Sequence, residues 1–149
     1  MSRLYHVNAF SHHPFGGNPA VVVLGEARPD AELQAMAAEF NLSESAFLTQ
    51  LGEGHYGLRW FTPQVEVDLC GHGTLAAAHV LWQTGEVSGE LPIRFVTRSG
   101  ELVARREGGV DLARFSAHCP GAPRAGPCLW DGSWLPAAAH TGGRGQVPA

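Results

Sequence analysis

The chain has 149 residues, 44% hydrophobic and 16% charged, with a formal net charge of −4. That is one domain's length with enough apolar material for a core. Mild acidity and ten scattered basic residues, all Arg, give no electrostatic footprint for nucleic acid. No stretch reaches the roughly 18 uninterrupted apolar residues of a membrane span. The N-terminus, MSRLYHVNAF, enters a strand pattern without the apolar core of a signal peptide. Three cysteines without framework spacing point to a reducing, cytoplasmic setting.

In chain order, Leu4–Ala9 alternates weakly and predicts a first strand. The turn-rich SHHPFGGN follows, then a continuous apolar strand at Ala20–Leu24. Pro29-Asp30 opens a helix with Asp30 as its expected N-cap and Leu33, Met36, Ala37 and Phe40 as a one-sided core stripe. Asn41 is its expected end. A strand through Thr49, a turn at Gly52–Gly54, a strand at Tyr56–Phe61 and a short one at Val65–Leu69 come next. Thr74–Thr84 then predicts a helix apolar on nearly every side, which has to be enclosed. Ile93–Thr97 and Glu101–Arg106 form a hairpin about Arg98-Ser99-Gly100. Short connections favour antiparallel pairing over βαβ crossovers. After Gly109 the composition turns to Gly, Pro and Ala. Val110–Phe115 can be one strand, but residues 137–149 show neither helical nor strand period. The expectation is a domain at 1–109 and a tail at 110–149 that is poorly ordered or frame-shifted.

The polar chemistry gathers where the enclosed helix begins. Free backbone N–H groups and the positive dipole end at Cys70-Gly71-His72-Gly73-Thr74 favour an anion such as a small carboxylate. Glu44 is a carboxyl flanked by Leu42 and Phe47; such a group can remove a proton and return it nearby. Taken alone, it reads as a solvated loop acid, and His72 alone reads as a structural helix-start residue. The amides of Gly71 and Gly73 allow close approach of a ligand to the backbone. Ser43 either touches substrate or caps its turn; Asn18 either shapes the Gly-Asn-Pro turn or touches substrate. Cys70 at a helix N-terminus is an alternative catalytic group, a buried small residue being the plain reading. Cys119, Cys128, His118 and His140 match no zinc spacing, so no metal is expected. Gly16-Gly17 lacks the context of a nucleotide-binding loop.

Four blocks in order, Gly17-Asn18-Pro19-Ala20, Asn41 to Phe47 (NLSESAF), Leu58 to Pro63 (LRWFTP) and Leu69 to Ala76 (LCGHGTLA), resemble the PhzF-like isomerases of phenazine biosynthesis. The Thr97–Leu102 hairpin fits as well. The resemblance implies an α+β fold of the diaminopimelate-epimerase type. There, two similar halves each wrap a mixed, largely antiparallel sheet around a central helix, with the active site between them. It covers the N-terminal half only; the second half-domain has no counterpart in the pattern. The resemblance implies Glu44 and His72 as catalytic residues; Ser43, Gly71, Gly73 and Asn18 stay candidates for substrate contact on the reading of the residues alone. It implies no cofactor and a small carboxylated substrate whose proton moves between carbons. A catalytically silent half that self-associates as a homodimer or binds a partner half is the alternative from another class. A cysteine-based epimerase using Cys70 is a third reading, but it needs a second thiol from the other half.

Overall fold

The structure is a computed structural model that describes residues 1–9 and 16–107, with backbone strands at 110–114, 135–137 and 139–147. The chain runs β1 (Ser2–Ala9), β2 (Asn18–Gly25), α1 (Asp30–Phe40), β3 (Glu44–Gly52), β4 (His55–Phe61), β5 (Glu66–Val67), α2 (Gly71–Gln83), β6 (Ile93–Thr97), β7 (Gly100–Glu107), β8 (Val110–Arg114), β9 (Leu135–Ala137) and β10 (Ala139–Val147). One mixed sheet has the order β10-β1-β2-β3-β4-β6-β7-β8-β9, with β5 branching from β4. Most neighbours are antiparallel, as expected from the short connections. Two pairs are parallel, β2 with β3 and β4 with β6, and each is joined by a crossover that contains a helix. A parallel pair needs such a connection because the chain has to return to the starting end of the sheet.

The sheet carries a helix on each face. Ala20, Val22 and Leu24 of β2 join Ala46, Leu48, Tyr56, Leu58 and Trp60 in the cluster around α2. Val21 and Val23 turn the other way, onto Leu33, Ala37, Phe47 and Phe61 beneath α1. A strand covered on both faces cannot alternate apolar with polar, which is why AVVVL is continuous. The enclosed helix meets its expectation: Gly73 to Trp82 are all buried. It packs on β1, β2, β3, β8 and β10, so the sheet curls around it. Among the described residues, no helix is long and apolar enough to cross a membrane.

Three details differ from the pattern reading. Asp30 is the first residue of α1 rather than its N-cap; Pro29 holds that place without a side-chain cap. The Asp30 carboxylate instead accepts from Arg59 Nη1 at 2.8 Å, a tertiary partner that outweighs the local cap. The helix around Thr74–Thr84 starts three residues earlier, at Gly71. Finally, β10 pairs antiparallel with β1, from Ser2 opposite Val147 to Ala139 opposite Ala9, and β9 pairs with β8. Those strands lie in a stretch where side-chain period predicts none, because ladder pairing uses backbone groups and a Gly/Ala-rich segment can supply them. Cys119, Cys128 and His118 lie outside the described residues, and so does the side chain of His140.

Candidate active site

The route into α2 is pinned by charge. Arg59 on β4 holds Glu66 of β5 with two hydrogen bonds of 2.8 Å, and Arg98 reaches the same carboxylate at 3.0 Å. The Arg59 hydrogen bonds hold the Glu66 carboxyl below its ordinary range, with burial opposing and Arg98 adding to the effect. Ser99 Oγ donates to the Asp68 carbonyl at 2.6 Å. The β6–β7 turn therefore clamps the segment that leads to Cys70. Gly100, at φ +103°, supplies the left-handed residue this turn requires.

Cys70 is the N-cap of α2. Its carbonyl accepts from the Thr74 N–H at 3.1 Å and from Thr74 Oγ1 at 2.7 Å. Its Sγ accepts from the Gly73 N–H at 3.3 Å and lies 3.3 Å from His72 Nδ1. On the other side of the ring, His72 Nε2 lies 3.3 Å from Glu44 Oε2. That contact is close enough for an ion pair but not aligned as a hydrogen bond, so buried Nε2 has no hydrogen-bonding partner among the described residues. Glu44 opens β3, opposite Ala20 of β2 in the parallel register, and points to the α2 side with Ala46 and Leu48. The Glu44 and His72 side chains keep 17% and 12% of their exposure, so neither is wholly closed off from solvent.

Burial pushes the Cys70 thiol up to about 12, with the Gly73 N–H opposing and the Glu44 carboxylate adding to the rise. Burial also lowers the His72 imidazole, which Glu44 opposes. The site therefore presents a neutral thiol and a neutral imidazole at neutral pH.

The donor atoms of Glu44, Cys70 and His72 lie within 4.8 Å of one another, the spacing of a possible metal trio. His72 Nδ1 lies 3.3 Å from the sulfur and Nε2 lies 3.3 Å from Glu44 Oε2. One ring nitrogen lies within 4.8 Å of both the sulfur and a carboxylate oxygen.

The sequence candidates separate into two layers. Glu44, His72, Cys70, Gly71 and Gly73 converge at the start of α2. Ser43 and Asn18 meet beside them: Ser43 Oγ lies 3.3 Å from Asn18 Oδ1 and donates to the Pro19 carbonyl at 3.2 Å. That link ties the first residues of β2 and β3 together. The Gly73 N–H is engaged by Cys70 Sγ, so of the two glycine amides expected to face a carboxylate only that of Gly71 is left for the role.

Trp60 was not singled out by its sequence context, and no local signal marks it. It is 1% exposed, and its indole lies against Gly73. A Cβ added at Gly73 would sit 2.8 Å from Trp60 Cδ1 and 3.1 Å from Cys70 Sγ. Gly73→Ala is expected to destabilise by about 1–3 kcal/mol through overpacking, although alanine gains up to about 1 kcal/mol in helix propensity. Urea unfolding checks this. An unchanged or raised midpoint would mean that the indole yields freely.

The family profile described as Phenazine biosynthesis-like protein matches residues 7–143. The chain belongs to that family. An uncharacterized isomerase of Halalkalibacterium halodurans is 54% identical over 106 residues, covering 70% of this chain and 40% of its own. The human phenazine biosynthesis-like domain-containing protein is 44% identical over 126 residues, covering 77% and 43%. Among solved structures, a PhzF family protein of Enterococcus faecalis superposes with a TM-score of 0.72 at 44% identity, over 77% of this chain and 44% of its own. A proline racemase of Agrobacterium radiobacter, at 12% identity and a TM-score of 0.57, shares the fold alone. The chain thus spans less than half the length of the curated relatives it matches. Family membership and an α+β fold of this type agree with the reading of the four sequence blocks.

Proposed function

We propose that this phenazine biosynthesis-like chain forms one wall of a cofactor-independent isomerase site. Glu44 takes a proton from one carbon of a small carboxylated metabolite and returns it to another. The observation that supports this reading is the Glu44–His72 pair at 3.3 Å, beside the start of the enclosed helix. A single carboxyl that removes and redelivers one proton leaves charge and atoms balanced without any redox partner. His72 Nε2 stabilises negative charge that develops on the substrate, and the Gly71 amide with the α2 dipole holds its carboxylate. Several homologues bear the name isomerase, which agrees with this chemistry.

Epimerisation by Cys70 is less well supported. A thiol raised to about 12 by burial is a poor proton acceptor near neutrality, and its contacts are His72, Glu44 and the helix backbone. The chain covers less than half of each relative's length, so on this reading the complete cleft takes a second wall. On this proposal the 149 residues alone turn nothing over, and they self-associate as a dimer or capture a partner half. Sedimentation run beside an isomerisation assay on dihydro-hydroxyanthranilate tests it. A folded, inactive dimer that gains activity with the remainder of a relative's chain is expected. Turnover by a monomer would exclude the two-walled arrangement.

A further inference from the structure

The cysteine that caps α2 has a contact that the proton shuttle does not use. Its sulfur receives the Gly73 N–H at 3.3 Å and lies at 3.3 Å from His72 Nδ1. A thiol has one hydrogen to give, and the acceptors beside the sulfur are His72 Nδ1, at 3.3 Å, and the Glu44 carboxylate. We propose that Cys70 is a positioning residue: its thiol hydrogen goes to Nδ1 and fixes His72 as the Nε2–H tautomer, so the ring presents a donor, not a base, to Glu44 and to substrate.

A neutral imidazole carries one hydrogen, and the bond made by one nitrogen decides what the other presents. With Nδ1 occupied as an acceptor, the ring hydrogen sits on Nε2, 3.3 Å from Glu44 Oε2. The opposite tautomer would set a bare nitrogen lone pair against the carboxylate and leave the thiol hydrogen without this acceptor. Burial favours the arrangement from both ends, since it keeps the thiol protonated and the imidazole neutral. A ring held this way has no free lone pair to take the proton that Glu44 collects. The ring therefore does not compete with the substrate for that proton, while Nε2–H supports the developing charge. That catalytic consequence rests on the proposed shuttle; the tautomer itself does not.

The test is nuclear magnetic resonance of the imidazole nitrogens in the ¹⁵N-labelled chain, at about pH 8, where an unperturbed histidine is already neutral. The expected spectrum has His72 protonated at Nε2 and bare at Nδ1. Cys70→Ser, which keeps a hydroxyl donor, should retain that pattern; Cys70→Ala should give a mixture of both tautomers. Glu44→Ala should leave the Nε2–H form in place. A wild-type ring protonated at Nδ1 would overturn the proposal, whether or not Cys70→Ala folds. So would a Cys70→Ala spectrum like the wild type, or loss of the Nε2–H form in Glu44→Ala alone. None of these readouts needs turnover, so absence of isomerase activity would count against the shuttle and not against the tautomer.

Discussion

Glu44→Gln is expected to lower turnover on the order of 10²–10⁴-fold, the usual share of a general acid–base group. The measurement belongs in the chain joined by a relative's remaining length, the preparation expected to turn over substrate. Glutamine has the same shape and can still meet the His72 ring, now 3.3 Å from Oε2. It cannot accept and release a proton at carbon. The loss should therefore fall on kcat with KM nearly unchanged, because substrate binding is assigned to the Gly71 amide and the α2 dipole. A drop confined to KM would make Glu44 a binding residue. Turnover within a few-fold of wild type would remove the shuttle altogether.

Trp60→Ala is expected to cost about 3–5 kcal/mol of stability, the range for truncating a fully buried large aromatic. Against a typical total of about 5–15 kcal/mol, that is enough to populate the unfolded chain. The reasons are specific. Trp60 is 1% exposed, sits in the cluster around α2, and walls the helix start at Gly73. Its Nε1 has no hydrogen-bonding partner among the described residues, so removing the indole forfeits packing but no hydrogen bond. Urea denaturation gives the number, and Leu81→Ala, also fully buried in that cluster, should fall in the range of about 2–5 kcal/mol. A loss below about 1 kcal/mol for Trp60→Ala would mean that the helix start does not depend on this wall.

Much of the molecule was legible because its signals are local. The AVVVL run, the stripe from Leu33 to Phe40 and the apolar helix after Thr74 each state their burial in their own spacing. Asn41 as the end of α1 is another, since it adopts φ 50° as the C-cap. The site was legible through block order: NLSESAF and CGHGT stand far apart in sequence, yet Glu44 and His72 meet. What stayed hidden depends on partners from elsewhere. Asp30 looked like a cap because its competitor, Arg59, lies 29 positions away. The Gly73 amide looked free because the sulfur that takes it depends on how the Cys70 side chain turns. The pairing of β10 left no trace in hydropathy, since a backbone ladder asks little of side chains.

That last pairing changes what β1 is. Flanked by β2 and β10, Ser2–Ala9 is an interior strand whose amides and carbonyls are occupied on both sides. Shortened versions that stop before residue 139 would turn it into a bare rim carrying Tyr5 and Val7. Rims of that kind recruit other chains, and such trimmed proteins would tend to clump during purification for reasons unrelated to the chemistry at Glu44.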